Sequence, residues 1–307
     1  MDIFLQQLIN GLTLGSIYAL VALGYTMVYG ILGLINFAHG EVVMIGALSS
    51  LTFVRLLENS GLPGTLVLLI GLLLAALVCM TLGFAIERVA YRPLRSAPRL
   101  APLITAIGVS IVLQQLAMLI WGRGYHSVPA LLPAGRHEFL GASFTNVQVV
   151  IVVVAALTMV GLTLLVNRTR LGRAMRATAE NPAIAGLMGV DADRIISLTF
   201  VIGSALAALA GVLVSANYGI AHYHMGFILG LKAFTAAVLG GIGNLAGAMV
   251  GGVLLGVIEA LGAGYIGDLT GGVLGSHYQD VFAFFVLIVV LVFRPSGLMG
   301  EKVAERA

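Results

Sequence analysis

Lys232 and Glu259 stand in apolar runs, 225–242 and 245–263, that are otherwise free of charge. At the centre of a bilayer each would cost roughly 2.5–3.5 kcal/mol on insertion scales. Such residues face a protein interior or a water-filled path, or snorkel to a nearby surface. A hairpin about Ile242–Asn244 puts them about 11 and 15 residues from the turn, so by helical rise their depths differ by only about 6 Å. We therefore expect them to pair. Asn36, His39 and Glu41 form a second polar set, breaking two apolar runs. They read either as a discontinuous helix lining a route through the protein or as a capped cytoplasmic turn. Asn244, in the turn Gly240-Gly241-Ile242-Gly243-Asn244, joins these residues as a candidate for the same route.

Covalent chemistry finds no candidates. There is no Ser/His/Asp arrangement, HExxH motif, cysteine cluster or phosphate-binding glycine loop, so no catalytic residue is proposed. His222 and His224 are two apart and cannot share a helical face, which argues against a metal site. The glycines at 240–243 follow no strand and precede no acidic partner, so they are not a dinucleotide fingerprint.

The stretch 167–194 is of another kind. It holds five Arg (168, 170, 173, 176, 194) and three acids (Glu180, Asp191, Asp193) between two long apolar runs. Its second half reads as a helix: Asn181 can cap, Pro182 suits the first helical position, and Gly189 suits a left-handed end. Ile184, Leu187 and Met188 then share one face, while Gly186 keeps the helix thin enough for close approach. Arg173, Arg176 and Glu180 would form a polar rim. The helix is either built to be gripped by another protein or is part of a solvated loop folded back on its own chain.

These elements must be held in a membrane. Of 307 residues, 60% are hydrophobic and 9% charged, against about 25% charged in soluble domains; mean hydropathy is +1.07. Continuous apolar runs near 20 residues indicate spanning helices rather than the alternating strands of a barrel. The fold class expected is an all-α polytopic membrane protein with about 8–9 spans, forming a single transmembrane domain over 1–307. No length remains for a soluble ATPase or kinase domain. The net charge of +3 reflects arginines at the membrane surface rather than affinity for nucleic acid. Cys79 is the only cysteine, so no internal disulfide forms. The first seven residues lack the positive region of a cleaved signal peptide.

Nine runs are expected: 8–30, 42–57, 65–86, 103–121, 147–166, 195–216, 225–242, 245–263 and 281–293, with 225–263 open to a re-entrant reading. Segments 87–102, 167–194 and 294–307 carry four, five and three basic residues, twelve of the chain's sixteen. The positive-inside rule makes them cytoplasmic and places 122–146 and the N-terminus outside. A faint echo, Gly15-Ser16 with Ala19 and Ala22 against Gly203-Ser204 with Ala207 and Ala210, fits an inverted repeat or ordinary small-residue packing.

Five stretches together resemble the membrane permease subunits of high-affinity branched-chain amino acid ABC importers, most closely the LivH type. They are Gly11-Leu-Thr-Leu-Gly-Ser-Ile-Tyr-Ala-Leu, Ile35-Asn-Phe-Ala-His-Gly-Glu41, Glu87-Arg-Val-Ala-Tyr-Arg-Pro-Leu-Arg95, Arg170-Leu-Gly-Arg-Ala-Met-Arg-Ala177, and Lys232-Ala-Phe-Thr-Ala-Ala-Val-Leu-Gly-Gly-Ile-Gly-Asn244. The resemblance implies an inverted-repeat permease fold similar to that of the vitamin B12 importer, in the bacterial inner membrane. It makes 180–190 the coupling helix, although Glu180 is followed by Asn181-Pro182, with Gly186 at offset six, where importers generally have Glu-Ala-Ala-x-x-x-Gly. It further implies a second permease subunit, two ATPase subunits that bind the ATP, and a periplasmic binding protein; the chain itself binds no cofactor and hydrolyses nothing. The cargo implied is leucine, isoleucine or valine, with other amino acids, amides or urea as related alternatives. The rival class is a self-sufficient secondary transporter using Lys232, Glu259 and Glu41, which leaves the gripped loop unexplained.

Overall fold

The computed structural model describes residues 2–95, 97, 98, 100–133, 135–269, 271 and 278–300. Parts of the basic segments 87–102 and 294–307, and most of the glycine-rich connection before the last span, lie outside the described residues. The chain forms eleven α-helices and four short strands among those described. The long helices are α1 (Asp2–Leu32), α2 (His39–Leu57), α3 (Gly64–Ile86), α4 (Leu100–Trp121), α5 (Asn146–Arg168), α8 (Ala192–Tyr218) and α10 (Leu245–Leu269). Each contains a stretch apolar and long enough to cross a membrane, which gives seven candidate spans. Two shorter apolar helices are α9 (Met225–Gly240) and α11 (Gln279–Phe293). Every expected run is therefore a helix, and the uncertainty about the span count falls on those two. Between α5 and α8 lie α6 (Arg170–Glu180) and α7 (Pro182–Leu187). The strands form two antiparallel pairs, β1 (His126–Ser127) with β4 (Ile220–Ala221), and β2 (Arg136–Phe139) with β3 (Ala142–Thr145).

The helices group into two compact units. The first comprises Met1–Thr26, Ala134–Met159 and Lys232–Ala307; the second comprises Met27–Pro133 and Val160–Leu231. In the second unit α2, α3 and α8 pack on one another, and α2 is buried almost throughout residues 39–51. Close approach comes from small residues: a Cβ on Gly46 would lie 2.6 Å from Ala208 Cα. In the first unit α1 crosses α10 in the same way, where a Cβ on Gly15 would lie 2.6 Å from Val253 Cα. The echoed motifs thus serve like purposes. Ser16, Ala19 and Ala22 are buried in α1, and Ser204, Ala207 and Ala210 are buried in α8.

Outward faces carry apolar stripes. On α3 these are Leu66, Leu69, Leu73, Leu77 and Phe84, and on α5 Val149, Val153, Leu157, Val160 and Leu164. Spacings of three, four and seven put each set on one helical face, as a lipid-facing surface requires.

The ends of each unit are distinguishable. In the second unit α3 widens into one π-helical turn at Glu87–Tyr91 and a 3₁₀ turn at Arg92–Leu94, where Pro93 removes a backbone donor. Arg92 and Arg95 there both reach Asp193 at the start of α8. Arg95 also donates to the buried Glu87, whose other oxygen accepts from Ser197 at 2.6 Å. At the far end Trp121 Nε1 donates to Thr52 at 2.8 Å, and Arg55 donates to the Ser127 carbonyl at 3.2 Å. In the first unit Gln6 and Ser143 bond one another twice at one end. The turn after α9 meets the tail at the other, with Leu298 N donating to Leu239 O and Met299 N to Gly240 O. Arginine-rich and arginine-poor connections therefore segregate to opposite ends of the second unit, as the positive-inside assignment expects.

Candidate functional site

Local chemistry builds the loop helices. Thr169 caps α6 by accepting from Gly172 N at 3.0 Å. Gly172, Met175 and Thr178, three apart, form its buried face, while Arg173, Arg176 and Glu180 are exposed. Arg176 donates to the Val166 carbonyl. Asn181 then leaves the helical region, and its side chain accepts from Ala183 N at 3.0 Å and Ile184 N at 3.1 Å. Pro182 needs no donor partner at the first turn, so a new helix starts where the old one stops. Gly189 closes α7 at φ +84, with Val190 N donating to Ala185 O at 3.0 Å. The cap, the proline and the glycine fall where their residue types predict.

Ala185 is the buried anchor of α7. Ile184, Leu187 and Met188 are 59%, 87% and 80% exposed, and a Cβ on Gly186 would meet nothing within 4 Å. This chain leaves that apolar face uncovered. What the sequence missed is that residues 170–180 form a helix of their own. The capping Thr169 three residues before Gly172 was the available signal.

Lys232 and Glu259 pair as expected: Lys232 Nζ lies 2.6 Å from Glu259 Oε1. Two further residues complete the cluster. Asp280 Oδ1 on α11 is 2.7 Å from the same Nζ, and Tyr18 OH on α1 donates to Glu259 Oε2 at 2.9 Å. Glu259 is 2% exposed, and both its oxygens are engaged by donors from other helices. This is the geometry a buried ion pair needs for attraction to offset desolvation. Neither Tyr18 nor Asp280 was marked by sequence spacing.

Asn36, His39 and Glu41 are all buried. Asn36 caps the break between α1 and α2, accepting from Ala38 N at 3.2 Å and from Tyr91 OH at 3.1 Å. Within the break Asn36 and Ala38 are buried, Leu34, Ile35 and Phe37 are half-buried and Gly33 is exposed. Glu41 Oε1 accepts from Ser110 at 3.1 Å and Gln114 at 2.7 Å on α4, and Ser110 lies about 15 Å along α4 by helical rise. Glu41 Oε2 has no hydrogen-bond partner among the described residues and faces Gly226, 2.8 Å from where a Cβ would sit. Asn244 does not join either cluster: it caps α10 by accepting from Gly247 N at 3.0 Å and donates to the Met299 carbonyl at 3.0 Å. Among the described residues no group of His, Cys, Asp or Glu is placed to hold a metal ion.

Against known proteins, a family profile described as branched-chain amino acid transport system / permease component matches residues 7–291. The chain is 51% identical to the high-affinity branched-chain amino acid transport system permease protein BraD of Pseudomonas aeruginosa, over 99% of this chain and 98% of that protein. It is 48% identical to the permease protein LivH of Escherichia coli K12, over 99% and 97%. It is 28% identical to the probable branched-chain amino acid transport permease protein LivH of Methanocaldococcus jannaschii, over 93% and 89%. No solved structure matches the chain.

Proposed function

The chain belongs to the family of permease components of branched-chain amino acid transport systems, and from that premise we propose that it is a membrane-spanning subunit of an ATP-driven importer for leucine, isoleucine and valine. The observation that carries the substrate class is the near full-length identity to BraD and LivH. In this reading a second permease subunit completes the pathway, two ATPase subunits bind and hydrolyse the ATP, and a periplasmic binding protein delivers the cargo. The assembly sits in the bacterial inner membrane, with the arginine-rich ends cytoplasmic.

The uncovered face of α7 supports coupling to an ATPase. Burying Ile184, Leu187 and Met188 in a partner's cleft would contribute roughly 1.5–3 kcal/mol per side chain. Exposed rim pairs from Arg173, Arg176 and Glu180 would add about 0–1 kcal/mol each. The apolar knob therefore governs docking more than the rim does. Asn36, His39, Glu41, Lys232 and Glu259 are proposed as polar elements of the pathway walls.

The test is uptake of labelled leucine into proteoliposomes holding this chain, its partner subunits and the binding protein. Uptake should require ATP and the binding protein together. Uptake driven by an ion gradient without the ATPase would make the chain a secondary transporter, and uptake of amides or urea but not leucine would overturn the substrate class. Leu187→Asp should leave the assembly inserted but abolish uptake and release the ATPase; normal uptake with the ATPase retained would remove α7 as the coupling element.

A further inference from the structure

At the arginine-rich end of the second unit a cavity of about 460 Å³ opens between the last turns of α3 and the first turns of α8. That size lies in the ~300–1,000 Å³ range of small-molecule sites. Three arginines line it, Arg88, Arg92 and Arg194, with two acids, Asp191 and Asp193. Both acids are already engaged. Asp193 takes Arg92 and Arg95, and Asp191 takes Arg194 at 2.9 Å while capping α8. Arg88 is exposed and has no ion-pair partner among the described residues. It is the surplus positive charge of the cavity.

The remaining wall is apolar: Phe84, Leu198 and Val201. Phe84 is also the last member of the exposed α3 stripe that begins at Leu66. From Leu66 to Phe84 the stripe runs about 27 Å by helical rise, close to the ~30 Å thickness of a bilayer core. A charged cavity thus continues into a hydrocarbon-facing track. A soluble anion needs the first and has no use for the second. A cytoplasmic protein reaches neither the track nor the bilayer depth at which it runs. Basic pockets between helices at the cytoplasmic surface are fitted to anionic lipid headgroups.

We propose that this cavity binds the headgroup of an anionic phospholipid, with Arg88 as the phosphate partner and the α3 stripe as the acyl-chain track. Arg92 and Arg194, held in place by Asp193 and Asp191, set the width of the cavity.

The test uses the full chain in its assembly, in nanodiscs of phosphatidylcholine with or without phosphatidylglycerol, reading co-retained lipid by native mass spectrometry. Phosphatidylglycerol should be retained in preference to phosphatidylcholine. Arg88→Gln should weaken that preference about fivefold, the effect of one arginine near a charged surface, and Arg88→Lys should keep most of it. Arg168→Gln, which removes an exposed arginine outside the cavity, should leave it unchanged. Equal losses for Arg88→Gln and Arg168→Gln would mean a diffuse charge belt and overturn the site. Displacement of the lipid by inorganic phosphate alone would make it a small-anion site. Release of an ATPase subunit by Arg88→Gln with lipid retention unchanged would make the cavity a protein-docking surface.

Discussion

Glu259 and Glu41 are 2% and 1% exposed and lie in apolar helices, yet they are held in opposite ways. Glu259 faces a cation: Lys232 at 2.6 Å, backed by Tyr18 OH at 2.9 Å. Among the described residues Glu41 faces only neutral donors, Ser110 and Gln114, and its second oxygen lies against Gly226. Opposite charge compensates the first, and dipoles alone serve the second. Removing the counter-charge should therefore damage the first unit severely, while neutralising the acid should barely disturb the second.

The largest effect expected is from Lys232→Ala, which leaves Glu259 and Asp280 together without their cation. Breaking one side of a buried pair costs about 3–5 kcal/mol, so the yield of folded assembly and its Tm in detergent should fall sharply. Adding Glu259→Ala should cost less than additively. Glu259→Ala alone should be milder than Lys232→Ala, because Asp280 still holds the ammonium. Strictly additive losses in that cycle would show that the pair does not act as a unit.

Gly226→Ala comes next. Its Cβ would collide with the Gly40 carbonyl and with Glu41 Oε2, and overpacking of this kind costs about 1–3 kcal/mol. A thermal-shift series should show a loss that Glu41→Ala partly relieves; no loss at all would mean that α9 and α2 are less tightly apposed than described. Tyr18→Phe removes one donor to Glu259 while keeping the ring, and should lower stability by roughly 1–3 kcal/mol, the cost of a charged acceptor losing a hydrogen bond. Glu41→Gln should be the mildest, under about 1 kcal/mol, because Ser110 and Gln114 keep an acceptor. If Glu41→Gln matched Lys232→Ala in severity, the negative charge at Glu41 would be essential and the contrast between the two acids would collapse.

The helices were legible because apolar length alone sets them: a run near 20 residues without charge has no other stable form in lipid. The end of the loop was legible for a different reason. Asn181, Pro182 and Gly189 act on backbone groups within four residues of themselves, so their effect does not depend on the rest of the fold. The pairing of Lys232 with Glu259 stood between these cases, since a short hairpin ties the depth of one to the depth of the other.

The sequence alone therefore determined a polytopic helical membrane protein, the caps of α7 and one ion pair across a turn. Only the tertiary structure decided which further groups gather round each acid. Tyr18 reaches Glu259 across 241 residues, and Ser110 and Gln114 reach Glu41 across 69 and 73. No periodicity carries information over such separations, because each helix can satisfy its own apolar pattern at any rotation against its neighbours. The rotation is chosen by close contacts of small residues, Gly15 against α10 and Gly46 against α8, and those contacts exist only once the helices have met.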